Sequence, residues 1–472
     1  MTAWTPFVIE GALAALLLAV FAATLIGRGE DRRGLGALAA AGVLVVLALS
    51  FVLAPVAPAL GGMFVLDGLA LFAKRLFLAA TFIGILGGLS SPEPSFVRRA
   101  GEYHLLLLSS LLGMCVLASA RDLLLLFLAF ELMSIPLYVL AGFAKRDGGA
   151  VEGALKFFLV GSVSSAVMAY GLSFVYGAVG TTSLAGVAKA FDAGHPLLVL
   201  GLLAALAGFA FKIAAFPFHM WVPDTYEAAG TPFVAWLSVA PKAAAFVALF
   251  RLYYEGAGER VVAWMPIAAT LATITMLGGN LMALPQQNTK RLLAYSGIAQ
   301  IGYMLVGFAA ASASGTAMVL FYLVAYVFGN MGAFLVVEVV ARAEGSESTA
   351  AFRGLAQRSP LLALAMLLFL LSLGGIPFVA GFWAKLYVFW AAASAGLYWL
   401  VLVGAVLTVV ALFYYLVIAR QMYIEPPLRP DRLRVAPTLA IAVVLCVLGV
   451  VVLGVYPKPL VMAALRVAAP LF

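Results

Sequence analysis

Charge is scarce in this chain. Of its 472 residues only 10% are Asp, Glu, Lys or Arg, and 65% are hydrophobic, whereas a soluble domain carries about 25% charged residues. A fold in water and a disordered chain both need more polar surface than this, so both classes are excluded. Membrane-spanning barrels alternate polar and apolar residues over about ten positions. That alternation is missing, and the apolar runs here last about twenty residues, enough for a helix to cross the hydrocarbon. Cysteine is nearly absent. Cys115 and Cys446 sit inside apolar runs and make neither a disulfide framework nor a Cys-x-x-Cys pair. His104, His195 and His219 are too few and too scattered for haem pairs or a metal cage. No glycine-rich nucleotide loop follows a strand pattern. The chain therefore reads as carrying no redox cofactor, nucleotide or metal of its own. The first span has Glu10 near its start and no basic stretch before it, so it does not read as a cleavable signal.

What is present is an all-α polytopic membrane protein of mean hydropathy +1.12. Fourteen spans can be placed, at 7–27, 36–57, 65–88, 102–120, 121–143, 154–177, 196–217, 231–254, 261–284, 291–311, 316–340, 360–393, 397–420 and 436–456. The twelfth is too long for one straight crossing, and Gly374-Gly375-Ile376-Pro377 interrupts it. The seventh ends in an irregular run from Phe216 to Pro223, and 181–193 reads as a short surface helix. The net charge of +8 is explained by orientation in the membrane rather than by a nucleic-acid partner. With the N-terminus outside, seventeen basic residues fall in inside loops: Arg28, Arg32, Arg33, Arg98, Arg99, Lys145, Arg146, Lys156, Lys290, Arg291, Arg342, Arg353, Arg358, Arg420, Arg429, Arg432 and Arg434. Six fall outside: Arg121, Lys189, Arg251, Arg260, Lys458 and Arg466. This asymmetry places both termini on the non-cytoplasmic side and agrees with an even number of spans.

Four ionisable residues stand where charge is expensive, at about 2.5–3.5 kcal/mol each on insertion scales. Glu131 lies mid-way along the fifth span, Lys212 near the end of the seventh, Lys242 directly after Pro241 in the eighth, and Lys385 eight residues beyond Pro377. Glu131 could be a structural partner for one lysine, and the lysines could snorkel to an interface. One carboxylate with three amines is also what an ion or proton pathway looks like, and lysine, unlike arginine, can give up its proton when buried. A Glu131–Lys212 separation of about 7 Å at an effective dielectric of about 20 would couple them by about 2.4 kcal/mol. Pro217, Pro223, Pro241 and Pro377 free backbone groups at membrane depth, which is tolerated where they line a cavity or pack on protein. Broken helices beside buried charges resemble transporter ion sites. Lys74 and Arg75 read as interfacial anchors, and Glu338 as a surface residue. Lys290 reads either as an ordinary positive-inside residue or as the start of a proton path.

These residues form a familiar pattern. The run Phe216-Pro217-Phe218-His219-Met220-Trp221-Val222-Pro223-Asp224-Thr225-Tyr226-Glu227-Ala228-Ala229-Gly230-Thr231-Pro232 resembles the signature of the antiporter-like subunits of respiratory complex I. Similar too are Val239 to Phe246, Asn288 to Tyr303 and Gly375 to Lys385. The resemblance covers about residues 60–420. The lysine directly after Pro241 and a lysine, not a glutamate, at 385 resemble the subunit N group, whose mitochondrial counterpart is subunit 2, more than subunit M. The long lateral helix of subunit L is lacking.

The resemblance implies helices 1–3 in 1–101, two inverted five-helix repeats in 102–255 and 256–420 with helices 7 and 12 broken, and a final helix in 421–472. It implies proton translocation through Glu131, Lys212, Lys242 and Lys385, with Lys290 and Gln300 as possible relays. Many relatives have histidine where this chain has Gln300, and glutamine cannot take up a proton, so a relay there must use its amide with water, or Lys290. The implied activity is that of a translocase subunit of an NADH:quinone oxidoreductase in a bacterial plasma (inner) membrane. Flavin, iron–sulfur clusters and quinone would then belong to partner subunits, and other antiporter-like subunits would be its neighbours. The alternative is a subunit of an Mrp-like cation/proton antiporter.

Overall fold

The computed structural model describes residues 4–26, 32–91, 93–191, 195–256, 262 and 264–472. In hydrocarbon every backbone N–H and C=O must be paired within the protein, and a helix does this inside one segment. The apolar runs accordingly form α1 (Val8–Ile26), α2 (Arg33–Val52), α3 (Gly68–Gly88), α4 (Pro94–Arg98), α5 (Ala100–Ser119), α6 (Leu123–Ala141) and α7 (Gly148–Val179). Next come α8 (Leu184–Phe191), α9 (Pro196–Ile213), α10 (Trp221–Ala228), α11 (Thr231–Leu237) and α12 (Ala240–Phe250), which runs on as a π-helical turn, Arg251–Glu255. The rest is α13 (Met265–Ala283), α14 (Thr289–Ala309), α15 (Ala313–Glu344), α16 (Leu355–Arg358), α17 (Pro360–Gly374), α18 (Ala380–Ser394), α19 (Tyr398–Tyr423), α20 (Pro437–Val455) and α21 (Lys458–Ala468). Among the described residues thirteen segments are long and apolar enough to cross a membrane. The broken pair α17–α18 supplies the remaining crossing of the fourteen-span reading, and α8 is the short helix expected after residue 181.

The breaks follow from proline. α9 stops at Ile213, four residues short of the expected end, and Ala214 turns left-handed at φ 66°. Pro217 has no N–H to offer the Ile213 carbonyl and disfavours helix in the residue before it. Helix resumes at Trp221, earlier than expected, because Pro223 then falls in the first turn of α10, where no N–H is needed. The eighth span is interrupted as well: α11 ends at Leu237 and Pro241 opens α12. α17 ends on Gly375 at φ 80°, a conformation glycine adopts without strain.

Some details depart from the sequence reading. The chain is not wholly helical: β1 (Val56–Ala59) and β2 (Phe64–Leu66) pair as a short antiparallel hairpin between α2 and α3. It turns through Gly61 and Gly62, both at positive φ. Lys156, read as a loop residue, stands in α7, which begins earlier than expected because Asp147 caps it. Arg28 and Arg260 lie outside the described residues. α12, α14 and α15 form the buried centre, whereas α1, α2, α6, α7, α19 and α20 expose apolar side chains outward. α13 and α14 touch at backbone distance, since a Cβ on Gly279 would lie 2.4 Å from the Ala299 nitrogen. That contact sets Asn280 against Tyr303.

Candidate functional site

Lys212 sits in the last turn of α9, just before the first break, and is 2% exposed. Its ammonium has no hydrogen-bond partner among the described residues. Instead four rings converge on Nζ: Phe130 at 5.1 Å, Phe211 at 5.2 Å, Tyr138 at 5.5 Å and Phe157 at 5.6 Å. Ring faces attract cations through their quadrupole, so this cage suits the charged form. Phe130 and Tyr138 come from α6, the helix of Glu131. No ion pair joins Glu131 to Lys212 among the described residues, and it is the rings that surround the ammonium. Glu131 is only half-buried, and its Oε1 has no hydrogen-bond partner among the described residues. Beside it on α6, Leu124, Leu128 and Ile135 are exposed.

Lys242 stands in the first turn of α12, 1% exposed and also without a hydrogen-bond partner among the described residues. The Tyr226 ring, from α10, lies 5.6 Å from its Nζ. Across from it α14 presents Gly297, whose Cβ would fall 3.7 Å from that nitrogen and 2.9 Å from Tyr326 Oη.

One turn along α14, Gln300 is fully engaged. Its Oε1 accepts from Tyr322 Oη (2.5 Å), and its Nε2 donates to the Leu373 carbonyl (3.0 Å) and to Tyr415 Oη (3.2 Å). The Leu373 carbonyl is free for this because its helical partner would be residue 377, a proline. Lys385, on α18 past the break, points its Nζ back to the next carbonyl, Gly374, at 3.4 Å, and lies 4.4 Å above the Tyr303 ring. Tyr303 Oη is 3.4 Å from Asn280 Nδ2, and Asn280 Oδ1 accepts from Tyr414 Oη (3.0 Å). The second break thus gathers a hydrogen-bonded cluster of Gln300, Tyr322, Tyr415, Asn280 and Tyr414, with Lys385 beside it. Sequence reading picked out only Gln300 and Lys385. The lone Asn280 and the Tyr414-Tyr415 pair inside apolar spans were the visible signal for the rest.

Lys290 is likewise buried, at the start of α14. Its Nζ donates to the Ala229 carbonyl (2.9 Å) and pairs with Glu347 (2.8 Å), which lines an open recess of about 540 Å³ with Asn288 and Ser346. Next to it Arg291 pairs with Asp224 (2.7 Å) and Glu227 (2.8 Å) on α10, and Lys156 reaches Asp224 from α7 (2.8 Å). Burial pushes the Asp224 carboxyl up, but its bonds to Lys156 and Arg291 outweigh this and hold it below the usual carboxylate range.

Two buried ion clusters lie apart from the four expected residues. Lys74 is no interfacial anchor: it is fully buried and pairs with Glu10 of α1 at 2.7 Å. Its partner is 64 residues away in sequence, so no local pattern could show the pair. Arg251, counted among the basic residues on the outside, is fully buried in the π-helical turn. It binds both oxygens of Asp67 (2.7 Å each), the Ala118 carbonyl and Glu255. Glu338 is 8% exposed and pairs with Arg342, so it too is more buried than expected.

Residues 120–411 match the model of a family described as NADH:quinone oxidoreductase/Mrp antiporter, TM. The chain belongs to this family. Within it the chain is similar to "NADH-quinone oxidoreductase subunit N" of Moorella thermoacetica, 43% identical over 98% of each chain. It is also similar to "F(420)H(2) dehydrogenase subunit N" of Methanosarcina mazei, 38% identical over 85% of this chain and 84% of that one. A solved chain in the respiratory complex I of Thermus thermophilus has the same fold, with a TM-score of 0.82, 32% identity, and 97% and 99% of the two chains covered. The antiporter-like family resemblance read from the motifs is therefore shown, with relatives named subunit N.

Proposed function

We propose that this chain is a proton-translocating membrane subunit of an NADH:quinone oxidoreductase, driven by quinone reduction in other subunits. The observation that carries this reading is that Lys212, Lys242 and Lys385 are each buried at a helix interruption without an ion-pair partner among the described residues. A protein does not keep such costly groups for stability. Lysine can cycle between charged and neutral forms, and each interruption frees backbone groups that a moving proton can use. Glu131 beside the cage and the Gln300 cluster between Lys242 and Lys385 complete the path, with Lys290 as a relay toward the recess. Electron transfer, with its flavin, iron–sulfur clusters and quinone, is placed in partner subunits. The same reading divides the chain into 1–101, the repeats 102–255 and 256–420, and 421–472. It sets the protein in a bacterial plasma (inner) membrane with both termini on the non-cytoplasmic side. The Mrp-like antiporter remains the second reading, since the family description covers both; copurification with flavin and iron–sulfur subunits decides for the first.

Lys212→Ala in the intact complex, reconstituted in vesicles, tests the proposal. Pumping should fall by roughly a hundredfold or more, the weight of one positioned proton-transfer group, with the complex still assembled. Lys212→Arg should fail too, because arginine keeps its proton. Normal pumping by the arginine variant would make Lys212 a fixed charge and overturn the mechanism.

A further inference from the structure

Lys212 and Lys242 belong to different elements, and α10 stands between them. Trp221, its first residue, stacks on Phe157 with ring centres 4.0 Å apart and planes at 12°. It also packs on Phe211 at 5.4 Å, and its Nε1 donates to the Phe211 carbonyl (3.2 Å). Phe157 and Phe211 are two walls of the Lys212 cage. Five residues on, Tyr226 meets Trp221 edge-on at 6.1 Å and turns its ring to Lys242. Trp221 and Tyr226 are both buried. The one polar atom of the Trp221 side chain is therefore committed to a backbone carbonyl, and Tyr226 Oη makes no hydrogen bond among the described residues. Side-chain contact along α10, from one lysine to the other, runs through aromatic rings.

We propose that Trp221 and Tyr226 form an aromatic bridge through which the charge on Lys212 is felt at Lys242. They are positioning residues that act by their rings and not by the tyrosine hydroxyl. The inference rests on the reading of both lysines as proton carriers. A ring face attracts the ammonium and not the neutral amine. Loss of charge at Lys212 removes the pull that seats Phe157 and Phe211, and a close-packed interior passes such a shift on to Trp221 and Tyr226 instead of absorbing it. Asp224 and Glu227 on the same helix are tied to Lys156 and Arg291. α10 therefore answers such a shift by repacking in place.

The test is the Tyr226→Phe and Tyr226→Met pair in the intact complex, with proton translocation and quinone reduction measured in vesicles. The phenylalanine variant keeps the ring and should pump like the parent. The methionine variant fills similar space without a ring, and pumping should slow roughly 5- to 30-fold, the factor for losing about 1–2 kcal/mol of cation–π contact. Adding Lys242→Ala to Tyr226→Met should cost no more than Lys242→Ala alone, because the tyrosine acts through that lysine. Equal losses in the phenylalanine and methionine variants would mean that the hydroxyl carries the proton, and would overturn the bridge. So would two silent variants in a background where Lys212→Ala abolishes pumping. If Lys212→Ala and Lys242→Ala both pump normally, the reading of the lysines themselves fails instead. Trp221→Phe against Trp221→Met repeats the comparison one ring away, should the Tyr226→Met complex not assemble.

Discussion

The Glu10–Lys74 pair allows a quantitative test of what a buried charge does in this fold. The two groups are 2.7 Å apart, with Lys74 fully buried and Glu10 nearly so. At an effective dielectric of about 20 their attraction is about 6 kcal/mol, of the same order as the several kcal/mol that each ion loses on leaving water. The pair as a whole should therefore contribute close to nothing, while either partner alone is a liability. Lys74→Met leaves a carboxylate stranded among α1, α3 and α5, and should cost about 3–5 kcal/mol. Glu10→Leu should cost a similar amount by stranding the amine. The double variant removes both charges at nearly constant volume and should return to within about 1 kcal/mol of the parent, or exceed it. Cys115 and Cys446 are both fully buried, so a thiol-reactive fluorophore reports the fold opening on heating. The single variants should unfold several degrees early and the double variant should not. A double variant as unstable as the singles would refute mutual compensation and show that the two side chains are kept for their shape.

Two further outcomes are expected. Burial raises the Asp67 carboxyl, but the Arg251 guanidinium beside it outweighs that and holds it below the usual carboxylate range. Its contribution to stability is thus present at neutral pH and lost as pH falls below about 4 toward the depressed value. Asp67→Asn should be less stable at pH 7 and lose less on acidification, and a parent-like acid dependence of the thermal midpoint would contradict this. Cysteines placed at the exposed positions Ser346 and Trp4 should be labelled from opposite sides of the membrane by an impermeant thiol reagent, with Ser346 reached from the cytoplasm. Labelling of both from one side would remove the fourteen-crossing topology.

What could be read from sequence was what depends on one segment at a time. Apolar run length gave the spans, and proline and glycine gave the neighbourhoods of both breaks, because each acts on its own backbone. Lys212, Lys242 and Lys385 stood out because charge in an apolar run is rare whatever surrounds it. Residues whose meaning depends on a distant partner were misread. Lys74 looked like an anchor until α1 brought Glu10 to it, and Arg251 looked like one more outside charge until Asp67 did the same. Gln300 was read as a possible relay through its amide, but its partners Tyr322, Tyr415 and the Leu373 carbonyl come from distant segments and could not be named from sequence. The aromatic cage around the Lys212 ammonium was not legible either, because its rings come from three separate segments, α6, α7 and α9. α21 escaped notice because its apolar face is too short and too mixed with Lys458 and Arg466 to resemble a span.

Glu131 has a peculiar standing among these groups. Its neighbours toward the core come from this chain, but along the same helix Leu124, Leu128 and Ile135 are exposed to the outside. The medium on that flank is a boundary condition imposed from outside, by acyl tails or by another polypeptide. Two preparations with identical sequence and identical fold can therefore hold this carboxylate in different dielectrics. Measurements on the subunit alone in detergent and on the assembled complex would then concern one side chain in two different surroundings.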